Sequence, residues 1–115
     1  MILRLKNKMT TISIKAISVN NCWRGRRFKT QEYKDYEQEL LLLLPKIDVP
    51  EGELLLEVEV GFSSVRSDLD NIAKPFIDIL QKKYHFNDRW ITEIRMVKIK
   101  VKKKEEYIKF KLTSR

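Results

Sequence analysis

The stretch RSDLDNIAKP at positions 66–75 holds the side chains whose types and spacing best suit chemistry. Asp68 and Asp70 stand two apart, so in extended chain both carboxylates project from one face while Leu69 turns to the other. Such a pair can share a cation, and hard divalent ions such as Mg²⁺ take carboxylate oxygens with waters completing an octahedron. Asp and Asn ahead of an apolar helical pattern are also ordinary helix caps, and for the pair alone that plainer reading is the stronger. Lys74 follows Asp70 by one helical turn and is expected to return toward the same place, where an ammonium holds a phosphate or offsets developing charge. Asp88, in HFNDRW, sits in a turn that by itself needs no functional reason. It joins the other two if the intervening helix lays the strand that starts near Asp88 beside the strand carrying Asp68 and Asp70. His85 is the single histidine and a conceivable base, though a lone histidine in a helix-end loop is more often incidental.

The elements that must position these residues are legible in the apolar pattern. Residues 10–16 alternate Ile12, Ile14 and Ala16 with polar positions, the period of a half-buried strand. NNCWRGRRFK, residues 20–29, breaks that period and reads as a basic loop carrying Trp23 and Phe28. Thr30 is placed to cap a helix in which Tyr33, Tyr36, Leu40 and Leu43 or Leu44 recur at helical spacing, with Glu32 in its first turn and Pro45 at its end. After a turn around Pro50, Leu54, Leu56, Val58, Val60 and Phe62 alternate with Glu53, Glu57 and Glu59, the cleanest strand in the chain. A second helix is expected to bury Ile72, Phe76, Ile77 and Leu80, with Pro75 near its first turn. Residues 90–101 read as a strand with Val97, Ile99 and Val101 inward, and residues 102–105 turn it into a last strand with Ile108, Phe110 and Leu112 inward. The order β, α, β, α, β, β, closing on a hairpin, predicts an α+β fold. It has a mixed sheet of about four strands with two helices packed on it.

One domain of 115 residues accommodates these elements around one core. The net charge of +8 favours a polyanionic partner. Residues 1–29 hold eight basic side chains and no acidic one, residues 95–115 hold nine against Glu105 and Glu106, and residues 30–94 carry seven basic and fourteen acidic. An acidic centre between basic arms suits a metal site on a phosphate-binding surface, and Lys-rich strands also simply suppress edge aggregation. With Cys22 as the single cysteine, an internal disulfide and a cysteine-built zinc cluster are excluded, and a cytoplasmic setting is expected. No apolar run is long enough to span a bilayer, and MILRLKNKMT is too short and too charged in its apolar part for a signal peptide. Met9 is an alternative start.

SDLDNIAKPFIDIL, followed about ten residues later by FND, together with the Asn20–Asn21 pair after a short first strand, resembles the RusA-type Holliday junction resolvases of bacteria and their prophages. The resemblance runs from Met9 to Leu112; residues 1–8 extend beyond the family's usual start, and the RGRR run falls outside the matching motifs. It implies a homodimer that binds branched DNA, the four-way junction, and nicks two opposing strands symmetrically in recombination and repair. It also implies a Mg²⁺ site, with Mn²⁺ as the alternative ion, held by Asp68, Asp70 and Asp88. Lys74 is then a further catalytic residue, and Asn71 a supporting one that orients the turn or an aspartate. Two-fold symmetry would match such an enzyme to a two-fold substrate.

For DNA binding the expected residues are Arg24, Arg26, Arg27 and Lys29, with Arg66, Lys82, Lys83, Lys98 and Lys100 as further candidates. Trp23 or Phe28 is suited to stack on an unpaired base, and core packing explains either equally well. Two competing readings are a non-catalytic basic nucleic-acid-binding module and a structural subunit that docks through the Lys-rich hairpin. Neither explains why Asp68, Asp70, Lys74 and Asp88 occur together.

Overall fold

The structure, a computed structural model, describes residues 9–25, 28–64 and 68–115. Strand β1 (Thr10–Ile12) leads through a 3₁₀ turn at Val19–Asn21 into a two-stranded ribbon, β2 (Trp23–Arg24) and β3 (Phe28–Lys29). Helix α1 (Gln31–Leu43), strand β4 (Leu54–Phe62), helix α2 (Leu69–Tyr84), strand β5 (Ile91–Lys100) and strand β6 (Tyr107–Ser114) complete the chain. The expected α+β architecture is present: four strands in the order β1-β6-β4-β5, with two helices, and the ribbon as a small second sheet.

β4 is central because its alternation gives it one wholly apolar face. Leu54, Leu56, Val58, Val60 and Phe62 are all buried, and with Ile108, Phe110 and Leu112 of β6 they form the floor on which the helices sit. α1 begins at Thr30, whose hydroxyl oxygen accepts from the Tyr33 N–H at 3.1 Å. It buries Tyr33, Tyr36 and Leu40, and Leu44 rather than Leu43 continues the stripe. α2 buries Ile72, Phe76, Ile77, Ile79 and Leu80. Phe76 stands edge-on to Phe110, ring centroids 5.4 Å apart, and so fixes the helix to the sheet.

Three expectations are corrected. β5 and β6 do not form a hairpin: β4 lies between them, parallel to β5 and antiparallel to β6. A βαβ crossover through α2 gives β5 its place, and the chain then passes β4 to add β6 on the other side. Val97 and Ile99 do not face inward; they are 51% and 42% exposed. In the parallel register they stand level with Glu59 and Gly61, on the sheet face the helices do not cover. Pro75 is the seventh residue of α2 rather than part of its first turn, so it cannot donate to the Asn71 carbonyl.

Among the described residues, the segregation of charge along the sequence is partly undone in space. β6 pairs its lysines with the glutamates of β4, Lys111 with Glu57 at 3.2 Å and Lys109 with Glu59 at 3.6 Å. Arg115 reaches Glu93 at 3.1 Å and Glu53 at 3.5 Å. A basic arm laid against an acidic strand is thus cross-strand pairing, each pair being worth a few tenths of a kcal/mol to about 1 kcal/mol.

Candidate active site

Asp68 is the N-cap residue of α2, in extended conformation, yet its side chain accepts no capping hydrogen bond. Asp70 is already inside the first helical turn, and its Oδ1 accepts from the Asn71 N–H at 3.0 Å. The two carboxylates therefore straddle the start of a helix instead of sharing the face of a strand, as extended chain would have placed them. Both side chains are exposed, and Leu69 between them packs against the core. Negative charge in this first turn is also favoured by the helix dipole.

From Asp70 the helix carries Lys74, Asp78 and Gln81 at steps of four, four and three, which lie within one narrow stripe on its surface. Lys74 does not return toward Asp70. Its Nζ reaches forward to Asp78 Oδ1 at 2.9 Å. That hydrogen bond, with the charges of Asp78 and Asp88, holds the ammonium above its ordinary pKa against the opposing effect of burial. Asp88 opens the 3₁₀ turn before β5, and its N–H donates to Gln81 Oε1 at 2.8 Å. Asn87 caps that turn by accepting from the Arg89 N–H at 3.0 Å.

One polar stripe thus runs along α2 with Asp70 at its start, Lys74 and Asp78 along it, and Asp88 secured near its end through Gln81, while Asp68 sits ahead of the helix at its N-cap. The expected strand adjacency exists, since β5 lies beside β4. Its parallel register, however, sets Ile91 next to Leu54, so Asp88 stands near the beginning of β4 while Asp68 follows its end. Eleven residues of helix between Asp70 and Gln81 correspond to about 16 Å of rise. Accordingly, among the described residues no three His, Cys, Asp or Glu side chains gather at metal-binding separation. By chemistry the Asp68 and Asp70 pair fits a hard divalent cation: exposed oxygen donors, one of them free of capping duty. Asp78 was not expected, though the Lys74–Asp78 spacing of four is a readable sequence signal.

His85 ends α2 in the left-handed region, φ 55°, and its N–H donates to Gln81 O. Several candidate DNA-binding lysines serve the fold. Lys29 (3.2 Å) and Lys82 (2.9 Å) converge on Glu37, tying the ribbon and α2 to α1, and Lys83 donates to Leu41 O at 3.1 Å. Lys98 lies over the Phe62 ring, 5.8 Å from its centroid. Arg24 and Lys100 are exposed. Arg26, Arg27 and Arg66 lie outside the described residues, as does the N-terminal extension 1–8. Cys22 is fully buried, and desolvation pushes its thiol up to about 11, so it remains protonated at neutral pH and has no place in the chemistry.

The Glu37 junction gives a testable pH dependence. Burial draws its carboxyl upward, but hydrogen bonds from Lys82 and Lys29 outweigh this and hold it below the ordinary 4.5. A lowered folded-state pKa contributes stability that is fully present above the unfolded value and is lost as pH falls through the folded one. Glu37→Gln is expected to cost about 1 kcal/mol at pH 7. Denaturant titrations of both proteins should show this difference shrinking as pH drops below 4.5. A difference independent of pH would show that the pairing contributes nothing.

A basic α+β domain with carboxylates and a lysine ordered along one helix face has the make-up of a phosphodiester-cleaving nuclease. The family description Endodeoxyribonuclease RusA matches residues 14–111 of this 115-residue chain. The chain belongs to that family, and its activity class is that of a Holliday junction resolving endodeoxyribonuclease. No curated protein matches it.

Proposed function

We propose that the protein is a Mg²⁺-dependent endonuclease that, as a homodimer, resolves four-way DNA junctions by paired symmetric nicks in recombination and repair in the cytoplasm. The observation that carries this reading is the stripe on α2: Asp68, Asp70, Lys74 and Asp88 all belong to one helix or are hydrogen-bonded to it.

Asp68 and Asp70 would hold the cation, with Mn²⁺ as an alternative; Asp88, about 16 Å of helix rise from Asp70, is too far to share that ion within one chain and acts there through its charge on Lys74. When bound, such an ion polarises the scissile phosphate and lowers the pKa of a coordinated water. Lys74 stays charged at neutral pH, and its ammonium stabilises the additional negative charge that builds on the phosphoryl oxygens. Asp78 positions Lys74 by holding its Nζ, and it must yield part of that contact when a phosphate arrives. Asn71 donates its N–H to Asp70 and so orients that carboxylate. Gln81 holds the Asp88 turn in place by accepting the Asp88 backbone N–H on its side-chain Oε1. Exposed Arg24 and Lys100 contribute sequence-independent phosphate attraction.

Incubation of the protein with a synthetic four-way junction and with the matching linear duplex, in Mg²⁺ and in EDTA, tests the proposal. Symmetric nicks in the junction alone, absent in EDTA, are the expected result. A protein that binds junctions without cutting them under any divalent ion is instead a nucleic-acid-binding module. Gel filtration with light scattering checks the dimer.

A further inference from the structure

Two lysines of β5 stand at the end of the molecule where α2 begins. In the parallel register Lys98 is level with Val60 and Lys100 with Phe62. Level residues of neighbouring strands share a face, and Val60 and Phe62 are buried beneath the helices, so both lysines rise on the helix side of the sheet. The contact of Lys98 agrees. Its ammonium lies 5.8 Å from the centroid of the Phe62 ring.

The level at which α2 begins follows from its own packing. Phe76 meets Phe110, and Phe110 is level with Val58. The helix runs antiparallel to β4, because it follows the end of that strand and β5 then restarts level with Leu54. From Phe76 back to Leu69 the helix rises about 10 Å, and from Val58 to Phe62 the strand advances about 13 Å. The first turn of α2 is therefore level with Phe62 and Lys100. Asp68 and Asp70 flank Leu69, which packs against the core. Carboxylates and lysines thus share one end and one face of the βαβ unit, outside the carboxyl ends of parallel strands, where such sheets take their ligands.

The flank is also open. β5 is an edge of the sheet, and among the described residues no strand lies beyond it. Lys98 and Lys100 are both exposed, and two residues of strand separate them by about 7 Å, so each can serve its own phosphate. An ammonium is a compact charge that holds phosphate without reading sequence. The buried Phe62 ring under Lys98 restrains where that charge points.

We infer that Lys98 and Lys100 lay the scissile strand across the carboxyl end of β5, holding the phosphates that adjoin the one at Asp68 and Asp70. They are positioning residues, and they set the side from which the strand enters. The inference rests on the nuclease reading for its ligand.

The test has a binding arm and a cleavage arm. In EDTA, the log–log salt dependence of four-way junction binding is expected to lose about two units of slope in the double variant Lys98→Gln/Lys100→Gln. In Mg²⁺, single-turnover cleavage at saturating protein should fall about tenfold or more, because a strand that is bound but not held drifts from the carboxylates. Lys98→Arg/Lys100→Arg keeps both charges and should stay within about twofold of wild type in rate. Lys46→Gln removes an exposed lysine at the other end of α2, beside Tyr84 and His85, and should leave the rate unchanged. Thermal melting checks that every variant folds. A double glutamine variant that matches Lys46→Gln in slope and rate overturns the inference. So does a loss of slope with the saturated rate intact, which would make the lysines a general attraction and not a guide. If the wild type binds junctions but never cuts them, the nuclease reading falls; a two-unit loss of slope confined to the double variant would still support the strand path, and equal slopes would overturn it.

Discussion

Asp70→Asn is expected to abolish cleavage of a four-way junction, a loss on the order of a thousandfold or more, while junction binding is kept. The substitution removes one negative charge and one hard oxygen donor and leaves the shape of the side chain almost unchanged. The remaining Oδ1 can still accept from the Asn71 N–H, so the start of α2 survives. Loss of an acidic group from a helix first turn costs only about 0.3–1 kcal/mol. Binding should be unchanged or slightly tighter, because a carboxylate facing phosphate repels it. Single-turnover cleavage at saturating protein separates the chemical step from binding. Cleavage within tenfold of wild type would remove Asp70 from the catalytic set. Asp78→Asn is an informative companion: it frees Lys74 without touching the proposed ligands, so it should alter the rate far less than Asp70→Asn.

Phe76→Ala should give the largest loss of stability, roughly 3–5 kcal/mol. Phe76 and Phe110 are each 1% exposed, and their edge-on contact joins the middle of α2 to β6 next to the central strand. Truncation leaves a cavity whose walls are a proline-containing helix and a sheet, neither of which collapses easily. Against a total of about 5–15 kcal/mol for a domain of ordinary stability, such a loss lowers the melting temperature by roughly 15 °C. Circular dichroism melting curves measure it directly. A change under about 1 kcal/mol would mean that α2 is not held by this contact. Phe76 and Lys74 are two residues apart and point to opposite sides of the helix. The variant should therefore retain cleavage at low temperature, where it is folded, and lose it sharply on warming.

Much of the candidate site was written in local spacing. Thr30 as a cap, Pro45 as a stop, and the apolar stripe through Ile72, Phe76 and Leu80 follow from rules that act within a few residues, and each is realised. The motif around Asp68, Asp70 and Lys74 led to the family by sequence alone, and the family match agrees with it. The direction of Lys74 was not legible, because two carboxylates lie one turn away on either side and only the fold selects Asp78. Nor was the inward or outward sense of Val97 and Ile99. A strand's alternation gives two faces, and only its neighbour, level with Glu59 and Gly61, decides which one is covered.

By itself the sequence determined where the two helices and the long strands fall, though not the β2–β3 ribbon inside the expected loop 20–29, together with the candidates for the reactive side chains and the net basic character. Each depends on near neighbours or on composition. Tertiary structure alone decided that β4 lies between β5 and β6, that the lysines of β6 are occupied by Glu57 and Glu59, and that Asp88 is bound to the helix that begins at Asp68. These are long-range pairings. They are fixed by burying one apolar face of the whole sheet at once, a condition that no local stretch of sequence expresses.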